Sequence, residues 1–326
     1  MKIKQFSPSG SLEDALVPIL DPGEVLAYLV DEVGLSCPSD INRKFWQFSR
    51  GKSDHPATDD HVPVSLYGDE VQVNRQGDSI TAMYLSLTLF KPKRVRCTHY
   101  CIWAMRTHLV AGCHTLWPVL AFVVESLNRA FEGIGKGKTK FALAELKGDW
   151  PWLRKILRFQ PSFTGNRVCF LCHSTVFADR IPFYDVETDL DEISSIGFIN
   201  TMLDTTCSPS PLLLVIGFSP WMIRICTMHT VNLGLCFTVN GACLATLIRC
   251  GYFGNLAGGT FEDRLLEAHR DFVAWRRAAG VSSSQRRFKR SSALCLKNAR
   301  EIFNIFPCGF CSKIQHIYPG YSVCTP

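Results

Sequence analysis

The chain has 326 residues, 47% of them hydrophobic and 20% charged, so it can bury a substantial core and does not have the composition of a disordered protein. Its net charge of +6 permits a polyanionic partner without requiring one. Fifteen cysteines, an odd number with several inside apolar runs, argue against a secreted disulfide scaffold; the opening Met1-Lys-Ile-Lys lacks the apolar stretch of a signal peptide, so a reducing location, nuclear or cytoplasmic, is expected.

Residues 1–60 read as an accessory helical region, with Asp21 as N-cap, Pro22 at the first helical position and an apolar stripe of Val25, Leu26, Leu29 and Val30. From His61 onward Val62, Val64 and Leu66 alternate with their neighbours. The phase changes around Gly68 to Tyr67, Val71 and Val73, which predicts a strand with a bulge. After the turn Asn74–Gly77 comes a strand over Ser79–Leu89, then a third over Arg94–Met105 that sets Cys97, His99 and Cys101 on one face. A helix starts near Thr115, tolerates Pro118 in its first turn and stops at Gly133–Gly137. The run Gly133-Ile-Gly-Lys-Gly-Lys-Thr139 lacks P-loop spacing and lies between helix and strand, so it is a basic turn. A fourth strand, Lys140–Leu146, leads through Gly148-Asp149 into a second helix, Trp150–Phe159.

The order is thus β-β-β-α-β-α. Three hairpin-linked strands followed by a helical crossover return the fourth strand parallel to one already present. If it lies beside the first, Asp69 and Asp149 reach neighbouring positions at one edge of the sheet, where two carboxylates would hold Mg²⁺ or Mn²⁺ for phosphodiester chemistry. The expected fold class is α/β, an RNase H-like mixed sheet over residues 61–280. The competing reading makes each aspartate a turn or helix-capping residue.

Further along, Cys169-x-x-Cys172 and Cys226-x-x-His229 supply three thiolates and an imidazole, enough for a closed structural Zn²⁺ site, with His173 as a spare ligand and plain core packing as the alternative. Residues 225–248 carry no formal charge and approach bilayer-spanning length. They also hold His229, Asn232 and Asn240, so a buried helix is expected and a membrane anchor is the alternative. Thr260 caps a helix Phe261–Arg277. From Phe272 to Arg300 there are eight basic residues and no acid, and Arg286, Arg287, Lys289 and Arg290 form the candidate nucleic-acid contact, weighed against a solvated linker. Residues 281–326 form a basic tail that need not be ordered, in which Cys308-x-x-Cys311 with His316 or Cys324 could make a second zinc site or a redox pair.

Taken in order, Tyr67-Gly-Asp-Glu70, the helix after three strands, Gly148-Asp149 before a helix, Cys169-Phe-Leu-Cys172 and Cys226-Thr-Met-His229 resemble eukaryotic DDE-type transposases over roughly residues 60–290. The segments Gly148-Asp-Trp-Pro-Trp-Leu-Arg-Lys-Ile-Leu-Arg-Phe159 and Asn166-Arg-Val-Cys-Phe-Leu-Cys-His173 also resemble transposon-derived proteins of protists. The resemblance implies an RNase H core with two metal ions held by three acids: Asp69, Asp149 and one on a helix after the Cys-x-x-His pair, for which Glu262 is chosen over Asp263 and Glu267. It implies DNA as partner, strand transfer or cleavage as activity, a possible homo-oligomer, no membrane and no small-molecule cofactor. A catalytically inactive DNA-binding remnant is the alternative, because the third acid is weakly marked and Cys308–Pro326 matches nothing in the family.

Overall fold

A computed structural model describes residues 1–74, 77–90, 98–158, 160–161, 166–167, 169–172, 195–203, 208–226, 237–254, 259–282 and 288. The chain separates into two compact units, Met1–Ile225 and Cys226–Pro326.

The first unit is mixed α/β. A hairpin of β1 (Lys2–Phe6) and β2 (Leu12–Leu16) precedes α1 (Pro22–Asp31) and α2 (Ser39–Arg50). Then come β3 (Val62–Gln72), β4 (Ser79–Leu87), β5 (Tyr100–Arg106), α3 (Cys113–Glu132), β6 (Phe141–Gly148), α4 (Trp150–Leu157), α5 (Ser195–Met202) and β7 (Ile223–Ile225). The larger sheet has the order β5-β4-β3-β6-β7: β3, β4 and β5 are antiparallel, and β6 runs parallel to both β3 and β7. The first and fourth strands of the predicted β-β-β-α-β-α series are therefore hydrogen-bonded neighbours.

Strand alternation gives the sheet two unlike faces. Val64 and Leu66 of β3 and Leu143 and Leu146 of β6 join Leu116, Leu120, Val123 and Leu127 of α3 in one buried core, completed by Trp152, Leu153 and Ile156 of α4. On the opposite face Trp46 of α2 packs with Ala57, Ala142 and Ala144.

Two sequence expectations change. Residues 1–60 are not wholly helical, since a β-hairpin opens the chain, and they are tied into the sheet unit: Ile3 and Leu26 lie in the main core. The predicted cap is present and reaches across to α3. Asp21 accepts from Gly23 N (2.8 Å) and Glu24 N (3.3 Å), from Arg129 Nη2 (2.6 Å) and from the Ser126 hydroxyl. Burial alone would raise the Asp21 carboxyl, but these hydrogen bonds outweigh it and hold it below the usual carboxylate range.

Nor does Gly68 mark a bulge. The pairing of β3 with β4 runs unbroken from Val64↔Leu87 to Gln72↔Ser79, and the shifts fall elsewhere, at Val64/Ser65 against β6 and at Met83/Tyr84 between β4 and β5. Gly68 is instead a packing position, described below. Strand β5 is described from Tyr100, while Lys91 through Cys97 lie outside the described residues.

In the second unit α6 (Phe237–Arg249) packs Leu244 and Ile248 with Leu265, Ala268 and Phe272 of α7 (Phe261–Ala278), with Phe288 in the same cluster. Thr260 caps α7 as expected, in a reciprocal box: Asp263 N donates to Thr260 Oγ1 at 3.2 Å, and Thr260 N donates to Asp263 Oδ2 at 2.9 Å. Within the uncharged stretch 225–248, Ile225 ends β7, α6 covers Phe237–Arg249, and residues 227–236 lie outside the described residues. With 13 residues, α6 is about 20 Å long at about 1.5 Å per residue, short of the roughly 30 Å hydrocarbon layer. No described helix is long and apolar enough to cross a membrane.

Candidate functional site

The site begins with two Gly-Asp pairs. In the parallel ladder Gly68 of β3 is the register partner of Gly148 of β6, so Asp69 and Asp149 follow from adjacent points at the same edge of the sheet. Both glycines are there for one side chain. A Cβ on Gly68 would sit 2.0 Å from Trp152 Cε2, and one on Gly148 would sit 2.3 Å from Trp152 Cδ1. The Trp152 ring, 3% exposed, lies flat where two side chains would otherwise stand. Only glycine at both positions lets α4 close on the sheet directly after β6.

Asp149 is the N-cap of α4. Its Oδ1 accepts from Trp152 N at 2.8 Å, and Pro151 follows in the first turn. Asp69 accepts from the Tyr67 hydroxyl at 2.8 Å on Oδ2 and from Glu70 N at 2.8 Å on Oδ1. These bonds fix both carboxylates, and they leave lone pairs over, since an ionised carboxylate has about four acceptor positions. Hard oxygen donors of this kind suit Mg²⁺ or Mn²⁺.

Around the aspartates the same sheet face is polar. Tyr67 stacks on His99 with ring centroids 5.7 Å apart and lies 6.1 Å from Tyr84, its register partner. Burial, assisted by Lys147, lowers the His99 pKa; burial, assisted by Cys101 and then Asp69, raises that of Tyr84. One step further from the edge, Glu145 accepts from Ser65 Oγ at 2.8 Å and pairs with Lys147 at 2.5 Å and Arg224 at 3.7 Å. Tyr67, Glu145 and Lys147 receive no role at the site from the sequence alone, although the two-residue period of β3 and β6 sets them on one side of the sheet with Asp69.

The expected third acid, Glu262, stands in the first turn of α7, in the second unit, beside the capping-box residue Asp263. Hydrogen bonds from Thr260 hold the Asp263 carboxyl below its usual range, so that acid has a structural task.

Of the expected zinc ligands, Cys169 and Cys172 form a tight turn in which Cys169 Sγ accepts from Leu171 N at 3.3 Å. Burial pushes the Cys169 thiol up and the neighbouring Cys172 adds to this, while backbone N–H groups of Leu171 and Cys172 pull the other way. Two thiols with N–H groups aimed at sulfur are a fit for half of a tetrahedral site. Cys226 begins the second unit, and His229 and His173 lie outside the described residues. Among the described residues no group of three or more His, Cys, Asp and Glu is placed to hold a metal ion, and no disulfide is present. Arg286, Arg287, Lys289 and Arg290, and the Cys308, Cys311, His316 and Cys324 set, also lie outside the described residues.

The sequence matches no protein-family model, and comparison with curated proteins finds no relative. Residues and geometry alone therefore carry the functional argument.

Proposed function

We propose that the chain is a transposase-derived nucleic-acid-processing protein, built on an RNase H-like sheet, in which Asp69 and Asp149 bind a divalent cation beside a phosphodiester. One observation carries the reading: β3 and β6 are parallel neighbours with Gly68 opposite Gly148, which sets the two Gly-Asp pairs side by side. Mg²⁺ or Mn²⁺ there would activate a water or 3′-hydroxyl and stabilise the leaving oxygen. The chain's own residues do the rest. Tyr67 holds Asp69 through its hydroxyl, the start of α4 holds Asp149, and Trp152 locks that helix to the sheet edge.

A second reading, a DNA-binding remnant without catalysis, draws on a specific observation: no third acid joins the two aspartates among the described residues. A DNA cleavage assay in Mg²⁺ or Mn²⁺ separates the two, comparing wild type with Asp149→Asn. Asparagine caps a helix as well as aspartate does, so the variant removes charge and keeps the fold. Metal-dependent cleavage that disappears in Asp149→Asn supports the enzyme. Cleavage equal in both proteins removes Asp149 from the chemistry, and no cleavage in wild type favours the remnant.

A further inference from the structure

On the sheet face opposite the main core, α2 and the loop after it bring rings and cations together. Phe48 of α2 points into solvent, 67% exposed. A single exposed ring is ordinary, but this one has charged and aromatic neighbours. Lys52 lies over the Trp221 ring, 5.8 Å from its centroid, and Trp221 sits in the turn Pro220–Met222 that leads into β7. Phe48, Lys52, Trp221 and Arg224 border one cleft, and among the described residues no acid lines it. At about 30 Å³ it has room for little more than a water, so it offers a surface of rings and charge rather than a pocket. Lys44, one turn before Phe48, and Lys52 are both exposed, and among the described residues neither forms a hydrogen bond or an ion pair. Asp59 is taken by Arg50 at 2.5 Å, and Asp54, exposed two residues after Lys52, pairs with none of them. Arg224 is compensated only in part: its Nε lies 3.7 Å from Glu145, a carboxylate that already holds Lys147 at 2.5 Å.

We infer that this surface binds a single-stranded nucleic acid, with bases stacked on Phe48 and Trp221 and phosphates against Lys44, Lys52 and Arg224. Every base has a π-face and every linkage a negative charge, so exposed rings set among unpaired cations complement such a strand along its length. The naming of a nucleic acid rests on the proposed function, and the surface leads to that site. Arg224 of β7 is the register partner of Lys147 of β6, and Lys147 is the partner of Tyr67 of β3. Register partners share a face, so these three residues form a row across the sheet, and at its end Tyr67 donates to Asp69 at 2.8 Å. Two strand spacings of about 4.8 Å separate Arg224 from Tyr67, equal to about three steps of a stacked strand at about 3.4 Å each. All of these residues belong to the first unit. A strand seated on Phe48 and Trp221 is thereby aimed along the row at Asp69.

The test is fluorescence anisotropy of a labelled single-stranded DNA with the full chain in EDTA, from roughly 50 to 200 mM salt. Phe48→Ala removes an exposed ring, and Lys44→Gln/Lys52→Gln removes two exposed charges while keeping most of each stem, so neither variant disturbs the core. Phe48→Ala is expected to weaken binding about tenfold with little change in salt dependence, and Phe48→Trp to keep it. Removing one cation from a phosphate lowers the slope of log affinity against log salt by about 0.7, so the double lysine variant is expected to lose about 1.4. Vesicles rich in phosphatidylserine are the second probe, because a lipid surface also takes exposed rings and lysines. Wild-type binding to the vesicles and not to DNA overturns the assignment. So does DNA affinity unchanged in both Phe48→Ala and the lysine variant, or no DNA binding by wild type. Mn²⁺ binding, measured separately on the same proteins, reports on the aspartates and should match wild type, so the two readings fail independently.

Discussion

Gly68→Ala tests the packing that creates the site. In a strand with ordinary backbone angles alanine is favoured over glycine by about 0.5–1 kcal/mol, because glycine loses more freedom on folding. Here the added methyl would meet Trp152 Cε2 at 2.0 Å, Cζ2 at 2.1 Å and Nε1 at 2.3 Å. No rotation of a ring that is 3% exposed relieves three such clashes, so strand and helix must separate. Overpacking of this kind costs about 1–3 kcal/mol, enough to reverse the sign of the intrinsic preference. Truncating the ring supplies the control. Trp152→Ala alone destabilises by about 3–5 kcal/mol, but within that background Gly68→Ala has space and should stabilise by about 0.5–1 kcal/mol. The four proteins form a double-mutant cycle in urea or guanidinium, with an expected coupling of about 2 kcal/mol or more. Additive effects, or a Gly68→Ala protein as stable as wild type, would refute the claim that Trp152 dictates glycine at this position.

Other consequences follow from single interactions. Asp149→Ala removes the α4 cap and should cost about 1 kcal/mol, or roughly 2–4 °C in Tm, whereas Asp149→Asn should melt with wild type. Ser126→Ala takes away the hydroxyl that receives Gly23 N at 2.8 Å and donates to Asp21; destabilisation by about 1–3 kcal/mol is expected, with residues 1–30 losing amide-exchange protection first. His55 and His61 both have pKa values lowered, mainly by burial, from the usual 6.5. Their folded forms stay neutral while the unfolded chain takes up protons. Stability should thus be level above about pH 6.5 and fall as pH drops through that value, and His55→Gln should flatten the fall. A stability that rises from pH 7 to pH 5 would contradict this.

The sheet was legible because its signals are local. Alternation marked β3, β4 and β6, glycine marked the end of α3, and the handedness and length of the crossover required a parallel return. The opening hairpin escaped because β1 and β2 are short and Lys2, Lys4 and Asp14 give them a solvated, charged face. Gly68 was misread for a different reason: its meaning lies in Trp152, 84 positions away, and no local pattern shows which ring will fill a missing side chain. The aspartates illustrate both cases at once. Asp149 is a helix cap, and it also follows Gly148, the register partner of the Gly68 that precedes Asp69.

Manganese binding followed by electron paramagnetic resonance addresses the pairing of Asp69 with Asp149 most directly. Wild type should bind Mn²⁺, and Asp69→Asn and Asp149→Asn should each weaken binding at least roughly tenfold, with the double variant little worse than either alone. Equal Mn²⁺ affinity in wild type and both single variants would contradict a shared cation site.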